Sequence, residues 1–247
     1  MLAKDRSEGL NMTINAQKIA YRYGDTEFTG QLAWDAERRD QRPGILVVHG
    51  GAGLDAHAKG RANRLAELGF VVFACDMYGH GVAGNRERIM ASIAELRDDT
   101  AKLCQRARAG IDVLLSHPQV DGRVAAVGYC FGGMVVLELA RSGADIAGAV
   151  SVHGSLTTSR PAQAGTVKAK LLVCHGALDP HVPMAQVNAF VQEMNEAGAD
   201  WQLAVYGGAM HGFTHDTGPA VPGVAYHAVA DARSATAMQN FFSELFG

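Results

Sequence analysis

The stretch VAAVGYCFGGMVVLELA (residues 124–140) places a cysteine between a run of small and β-branched residues and an apolar helical pattern. Residues 124–129 predict a buried strand, and the residues after Cys130 predict a helix. Gly128 and Gly132 flank the cysteine at two residues on either side. A turn that passes directly from strand into helix crowds its neighbours, and glycines relieve that crowding. The pattern predicts a sharp elbow that holds the Cys130 thiol at a helix N-terminus, where a thiolate is favoured.

Strand-like and helix-like segments alternate along the rest of the chain. A hairpin is predicted from 14–23 and 28–34, and further strands are predicted at 44–50, 70–76, 123–129, 146–154, 169–176 and 201–208. One helix is predicted over 87–116, and others end at Gly69 or begin after Phe131, after Pro183 and near Tyr226. This alternation is typical of an α/β fold with one mostly parallel sheet and helices on both faces. Ligands bind such sheets at the carboxyl ends of the strands.

Composition limits the classes of protein to which this chain can belong. Of its 247 residues, 48% are hydrophobic and 19% are charged, which is typical of a globular protein with a sizeable core. The formal net charge of -3 gives no electrostatic argument for a nucleic-acid partner, and no apolar run is long enough to span a membrane. We expect residues 1–12 to form a disordered tail or a remnant of cloning, and residues 13–247 to form a single domain.

The other three cysteines are interpreted as structural. Cys75 and Cys174 lie in apolar strand-like runs, and Cys104 lies in a helical stretch. Unpaired cysteines are among the most buried residues. Because there is no CxxC pair and no short secreted framework, the sequence predicts reduced thiols in a cytoplasmic protein.

Two further residues with catalytic chemistry follow later strands. Asp179 comes just beyond the strand that ends near His175, and His211 comes just beyond the last strand. Nucleophile, acid and histidine occur in the order of the α/β-hydrolase triad. The histidine would take the thiol proton and return it to the leaving group, while the aspartate orients the imidazole. We therefore predict Cys130, Asp179 and His211 as catalytic residues, with the N–H groups of Phe131 and Gly51 as the oxyanion hole.

The sequence resembles the dienelactone hydrolase family of α/β-hydrolases. The shared motifs are ACDMYG, GYCFGG, HGALDPHVP and MHGF, and the resemblance covers residues from about 40 to the end. It implies the α/β-hydrolase fold and a monomer or weak homodimer that hydrolyses lactones and small esters without a cofactor. By position it carries over the same triad and the same two oxyanion donors.

Three departures from the family pattern bear on the substrate. Family members have a glutamate after the third strand where this chain has Gly50, and two arginines where it has His80 and His215. Without arginines, the bidentate grip on a carboxylate is lost. We therefore predict small neutral esters and lactones as substrates, with activated phosphotriesters as further ones, and His80, His215, Tyr78 and Phe213 as substrate-binding residues. The alternative is a true dienelactone hydrolase that acts on a carboxylated lactone.

Two other classes of function remain open on the sequence alone. A metal-dependent hydrolase could use histidines at 175, 181, 211 and 215, but no clustered ligand motif such as HExxH is present, so we predict no metal. A ligand-binding protein on the same fold would not need the triad. His153, at the end of another strand, is predicted to face the site. The charged stretch from Arg97 to Arg108 is interpreted as a solvated helix face.

Overall fold

A computed structural model describes residues 13–217 and 221–247, so the predicted tail at 1–12 lies outside the described residues. In this part of the chain, eight strands form one sheet in the order β1-β2-β4-β3-β5-β6-β7-β8. Their bounds are β1 Ile14–Tyr23, β2 Thr26–Asp35, β3 Arg42–Val48, β4 Val71–Cys75, β5 Val120–Tyr129, β6 Gly148–Val152, β7 Lys170–Gly176 and β8 Trp201–Tyr206. The strands from β3 to β8 pair in parallel, while β2 pairs antiparallel with both β1 and β4. The predicted mostly parallel sheet is confirmed.

Six helices within the described residues connect and cover the strands. Their bounds are α1 Ala56–Glu67, α2 Arg86–Asp98, α3 Thr100–Leu115, α4 Phe131–Arg141, α5 Met184–Ala197 and α6 Ala228–Phe246. Side chains of α1 and α6 pack on one face of the sheet, and side chains of α3, α4 and α5 pack on the other. Because both faces are covered, β3 and β4 are buried at every residue, as their continuous apolar sequences predict. No helix within the described residues is long and apolar enough to cross a membrane.

The predicted single helix over 87–116 is wrong, because the chain breaks at Asp99. This residue ends α2 and also caps α3, where its Oδ1 accepts a hydrogen bond from the Lys102 N–H at 2.9 Å. A side-chain oxygen at this position satisfies a backbone donor that the first turn of a helix leaves without a partner. The break separates α2 from α3, and α2 brings Ile93 and Arg97 near Gly51 and Cys130, which follow the carboxyl ends of β3 and β5.

Candidate active site

The nucleophile elbow forms where β5 ends and α4 begins. Cys130 lies there with φ of 53° and ψ of -112°, a left-handed backbone conformation that residues other than glycine rarely adopt. A Cβ at Gly128 would lie 1.9 Å from the Gly132 carbonyl oxygen, and a Cβ at Gly132 would lie 2.2 Å from that of Val48. Both contacts are impossible, so the two glycines allow the tight turn. The structure therefore places Cys130 as the sequence predicted.

The three predicted triad residues meet above the carboxyl ends of β5, β7 and β8. The His211 Nε2 lies 3.0 Å from the Cys130 Sγ, and its Nδ1 lies 2.8 Å from the Asp179 Oδ2. The other oxygen of Asp179 accepts the N–H groups of His181 and Val182 at 2.8 and 3.0 Å, which fixes the carboxylate. The imidazole thus lies within hydrogen-bond distance of both a thiol and a fully enclosed carboxylate.

These contacts shift the pKa values of His211 and Cys130. Burial alone would lower the pKa of His211, but its hydrogen bonds to Asp179 and Cys130 outweigh burial and raise the pKa to about 10. Burial alone would raise the pKa of Cys130, but the hydrogen bond and charge of His211 lower it below its ordinary value. The lowered pKa of Cys130 and the raised pKa of His211 both favour the thiolate and imidazolium pair over the neutral thiol and imidazole.

Backbone donors surround the sulfur. The N–H groups of Gly51 and Phe131 also act to lower the pKa of Cys130, because both face the thiolate. Gly51 lies in the loop after β3, and Phe131 begins α4. These are the two positions predicted for the oxyanion hole, and donors so placed can stabilise the charge that develops on a carbonyl oxygen under attack.

A cavity of about 280 Å³ opens above the thiol. Besides Cys130 and His211, its lining includes Gly51, Ile93, Arg97, Phe131, Ser155 and His181. A polar cavity of about 390 Å³ continues outward from it and shares Arg97, Ser155 and His181. Arg97, interpreted from the sequence as part of a solvated face, was missed. No local motif marks it, because its place depends on how α2 lies across the strand ends.

The four residues predicted to bind substrate are not among the described residues that line this cavity. The Tyr78 hydroxyl donates to the Gly51 carbonyl at 3.1 Å, so it supports the oxyanion loop. Phe213 is fully enclosed, with its ring edge against His153 at 5.1 Å. His80 is exposed, and its backbone N–H donates to the carbonyl of Glu27 in β2.

His215 lies below the thiol, beside Gly50. A Cβ at Gly50 would lie 3.5 Å from the His215 Nε2 and 3.8 Å from the Cys130 Cβ, so the glycine leaves a small space between the two side chains. The His215 ring stacks on the ring of His57, which α1 supplies, at a centroid distance of 3.8 Å. Burial lowers the pKa of both imidazoles, that of His57 to about 3. The space at Gly50 is therefore bordered by the uncharged ring of His215, with the uncharged ring of His57 stacked against it.

Within the part of the chain that the structure describes, no group of three or more histidine, cysteine, aspartate or glutamate side chains is arranged to hold a metal ion. His175 and His211 were candidate ligands on sequence grounds. His211 instead bonds to Asp179 and Cys130, and the His175 Nε2 is buried without a hydrogen-bond partner among the described residues.

In a comparison with protein families, the dienelactone hydrolase family model matches residues 28–246. The chain belongs to the dienelactone hydrolase family. It is therefore a hydrolase of ester or lactone bonds, and the sheet and helices described above are the α/β-hydrolase fold predicted from the sequence.

Similar proteins support the assignment over the length of the chain. A solved structure described as a dienelactone hydrolase-like promiscuous phosphotriesterase P91 from metagenomic libraries is 42% identical, with a TM-score of 0.89, covering 95% of this chain and 99% of the other. A structure named m3DLH is 40% identical, with a TM-score of 0.88 and the same shares covered. Uncharacterized protein K02A2.1 of Caenorhabditis elegans is 36% identical over 154 residues, which are 60% of this chain and 98% of that protein.

Proposed function

We propose that this hydrolase cleaves small neutral esters and lactones, and activated phosphotriesters in addition, through a Cys130-His211-Asp179 triad. The observation that carries the proposal is the continuous set of contacts from the Asp179 carboxylate through His211 to the thiol, at 2.8 and 3.0 Å. Nucleophile and base within hydrogen-bond distance, with the base oriented by a third group, is the arrangement that covalent catalysis requires.

The proposed reaction has two halves, and it starts from the thiolate of Cys130 and the imidazolium of His211. The thiolate attacks the ester carbonyl carbon, and the N–H groups of Gly51 and Phe131 bind the resulting oxyanion. When the intermediate collapses, the C–O bond breaks and the imidazolium of His211 protonates the departing alkoxide, which leaves a thioester on Cys130. His211 then removes a proton from water, the hydroxide attacks the thioester, and the thiolate departs as the acid product forms.

The preference for neutral substrates follows from the charges beside the thiol. Gly50 and His215 stand where the family resemblance implies a glutamate and an arginine, and His57 and His215 are uncharged at neutral pH because burial lowers their pKa values. A carboxylate next to the scissile bond would therefore meet the uncharged ring of His215 beside Gly50 where the family resemblance implies a guanidinium. Similarity to a promiscuous phosphotriesterase supports the addition of phosphotriesters, whose phosphoryl oxygen also gains negative charge during attack.

A second candidate is a carboxylated lactone, and Arg97 is the observation that favours it. This residue lines the outer wall of the cavity and has no ion pair within residues 13–217 and 221–247. A single exposed guanidinium is a weaker ligand for a carboxylate than the paired arginines of the family, because an exposed ion pair contributes at most about 1 kcal/mol.

A matched set of substrates separates the two candidates. The kcat/KM for p-nitrophenyl butyrate is compared with that for mono-p-nitrophenyl succinate, which differs by a terminal carboxylate, and then with a neutral lactone, a dienelactone acid and a neutral phosphotriester. We expect the butyrate ester and the neutral lactone to be the better substrates, with turnover lost in Cys130→Ala and unchanged after exhaustive chelation of metals. A clear preference for the acids would contradict the neutral-substrate proposal.

A further inference from the structure

His153 lies directly behind the elbow and shares its unusual backbone. It follows the last residue of β6, Val152, which pairs with Tyr129 at the end of β5. Its φ is 41°, and within the described residues only Cys130 joins it as a non-glycine residue with positive φ. Such conformations are unfavourable for residues other than glycine and persist only where surrounding contacts hold them. Two adjacent strand ends therefore carry strain at the same place.

A hydrogen bond connects the two strained residues. The Cys130 N–H donates both to the Val152 carbonyl at 3.0 Å and to the His153 Nδ1 at 3.1 Å. Because Nδ1 accepts, the ring proton of His153 is on Nε2, which lies 2.8 Å from the Thr214 Oγ1 and donates to it. The ring is fully enclosed, so no water competes for either nitrogen.

The next residues hold this tautomer in place. The Thr214 hydroxyl, having accepted from His153, donates its own proton to the His57 Nε2 at 3.1 Å. The same nitrogen accepts from the Arg61 Nε at 3.3 Å, and Arg61 is held by an ion pair with Asp231 at 2.8 Å. The donors of His153 and Thr214 both point away from the elbow, and Arg61 donates to His57 from the far end of the series, so the acceptor nitrogen of His153 faces the Cys130 N–H.

The surroundings of His153 also keep its ring uncharged. The titratable side chains that face it are His57, His211 and His215 across the cluster and Tyr129 from β5. Burial, followed by the charges of His211, His215 and His57, holds the pKa of His153 well below its ordinary value. A second proton on the ring would set an N–H against the Cys130 N–H, and the hydrogen bond would be lost.

We infer that His153 is a positioning residue of the reaction, which accepts the Cys130 N–H and so fixes the direction of the thiol and of the Phe131 N–H. The bond holds the peptide plane that precedes Cys130, and rotation from that plane about N–Cα sets where the sulfur and the next amide point. It acts through Cys130 and touches no reacting atom. The inference rests on the proposed nucleophile.

The test compares three variants, His153→Leu, His153→Asn and His175→Leu. Asparagine tolerates positive φ and offers an acceptor oxygen, whereas leucine does neither. His175→Leu is the matched control, because it also removes a buried imidazole at a strand end but has no bond to Cys130. We expect kcat on p-nitrophenyl butyrate to fall roughly 10- to 100-fold in His153→Leu, as small misplacements of reacting groups do, with KM little changed. His153→Asn should recover most of that loss, and the control should keep most of its kcat.

Alkylation of Cys130 by iodoacetamide across pH supplies the readout that a purely structural role would not reproduce. The remaining cysteines are buried, so the reaction reports on this thiol. The pH midpoint depends on His211, and we expect it to be the same in wild type and His153→Leu while kcat falls. If His153→Leu does not fold, Thr214→Val, which removes the group that fixes the tautomer, should lower kcat several-fold with the midpoint again unchanged.

Three results would overturn the inference. His153→Asn could be as slow as His153→Leu, the control could lose as much kcat as His153→Leu, or the alkylation midpoint could move together with kcat. Retained activity in Cys130→Ala would instead overturn the proposed function, and this inference with it. An inactive Cys130→Ala combined with any of the three results overturns the role of His153 alone.

Discussion

Two groups of histidines lie on the same edge of the sheet with opposite protonation. His211 is raised to a pKa of about 10, although burial alone would lower it, because Asp179 and Cys130 bond to its two nitrogens. The pKa of His57 falls to about 3, because burial and the charges of His215 and Arg61 all lower it. The difference is an anion within hydrogen-bond distance. Histidine thus has two roles here. His211 is the charged partner of the Cys130 thiolate, whereas His57 and His215 form an uncharged stack of rings.

Removing the carboxylate of Asp179, which gives His211 its raised pKa, should have the largest effect on activity. In Asp179→Asn the imidazole loses both its orientation and its charge partner, and we expect kcat/KM on p-nitrophenyl butyrate to fall about 10³- to 10⁴-fold. Steady-state kinetics measure it. As a control, Asp55→Asn changes the cap of α1 outside the triad and should leave kcat/KM nearly unchanged. A loss below tenfold in Asp179→Asn would mean that the carboxylate does not set the state of His211.

The pH dependence of kcat/KM should show both members of the ion pair. The rate requires a Cys130 thiolate and a His211 imidazolium, so it should fall below the lowered pKa of Cys130 and again above about 10. Each limb changes about tenfold per pH unit. The expected profile is a bell whose acid limb lies below pH 9.0, the ordinary value for the thiol. A rate that rises only as the thiol ionises near pH 9.0 would contradict the resting ion pair.

The elbow could be predicted from the sequence because its determinants are local. Gly128, Cys130 and Gly132 act on each other within one turn, and the order of Cys130, Asp179 and His211 follows the strands that precede them. Parallel pairing then brings the strand ends to one edge, as predicted.

The surroundings of the cavity could not be predicted, because they depend on packing between distant segments. The residues from Arg86 to Ala109 contain neither glycine nor proline, so the break at Asp99 is not marked by composition. The placement of Arg97 in the wall of the cavity depends on where α2 ends and α3 begins. The stack of His57 on His215 joins α1 to the loop after β8, and no sequence pattern in either segment predicts this contact.

The uncharged histidines predict acid sensitivity of the fold. A group whose pKa is lowered on folding contributes stability that is fully present above its unfolded pKa and is lost as pH falls through the folded one. For His57 this window runs from 6.5 down to about 3, and His153 and His215 are shifted in the same direction. We therefore expect Tm to fall as pH decreases below 6.5.

A variant of His57 tests whether the fall of Tm with decreasing pH comes from the buried histidines. His57→Phe keeps an aromatic ring for the stack with His215 but removes the titration, so its Tm should depend less on pH between 6.5 and 4. The same replacement at exposed His80 is the control and should retain the wild-type slope. Equal slopes in all three proteins would show that the cluster is not the source of acid sensitivity.

The smallest effect is expected at the outer wall of the cavity. Arg97→Gln should leave kcat/KM on p-nitrophenyl butyrate nearly unchanged and lower that on mono-p-nitrophenyl succinate by less than about fivefold, the equivalent of an exposed ion pair. Arg88→Gln, on the same helix but outside the cavity lining, is the matched control. A loss much larger than fivefold on the succinate ester would make Arg97 a main determinant of specificity and would favour carboxylated substrates.

The central claim is that Cys130 forms a covalent acyl intermediate. The most direct test quenches the enzyme in acid during turnover of p-nitrophenyl butyrate and maps the acyl group by peptide mass spectrometry. The account predicts a butyryl group on the peptide that contains Cys130 in wild type, and neither adduct nor turnover in Cys130→Ala. An acyl group on another residue, or turnover that survives in Cys130→Ala, would contradict it.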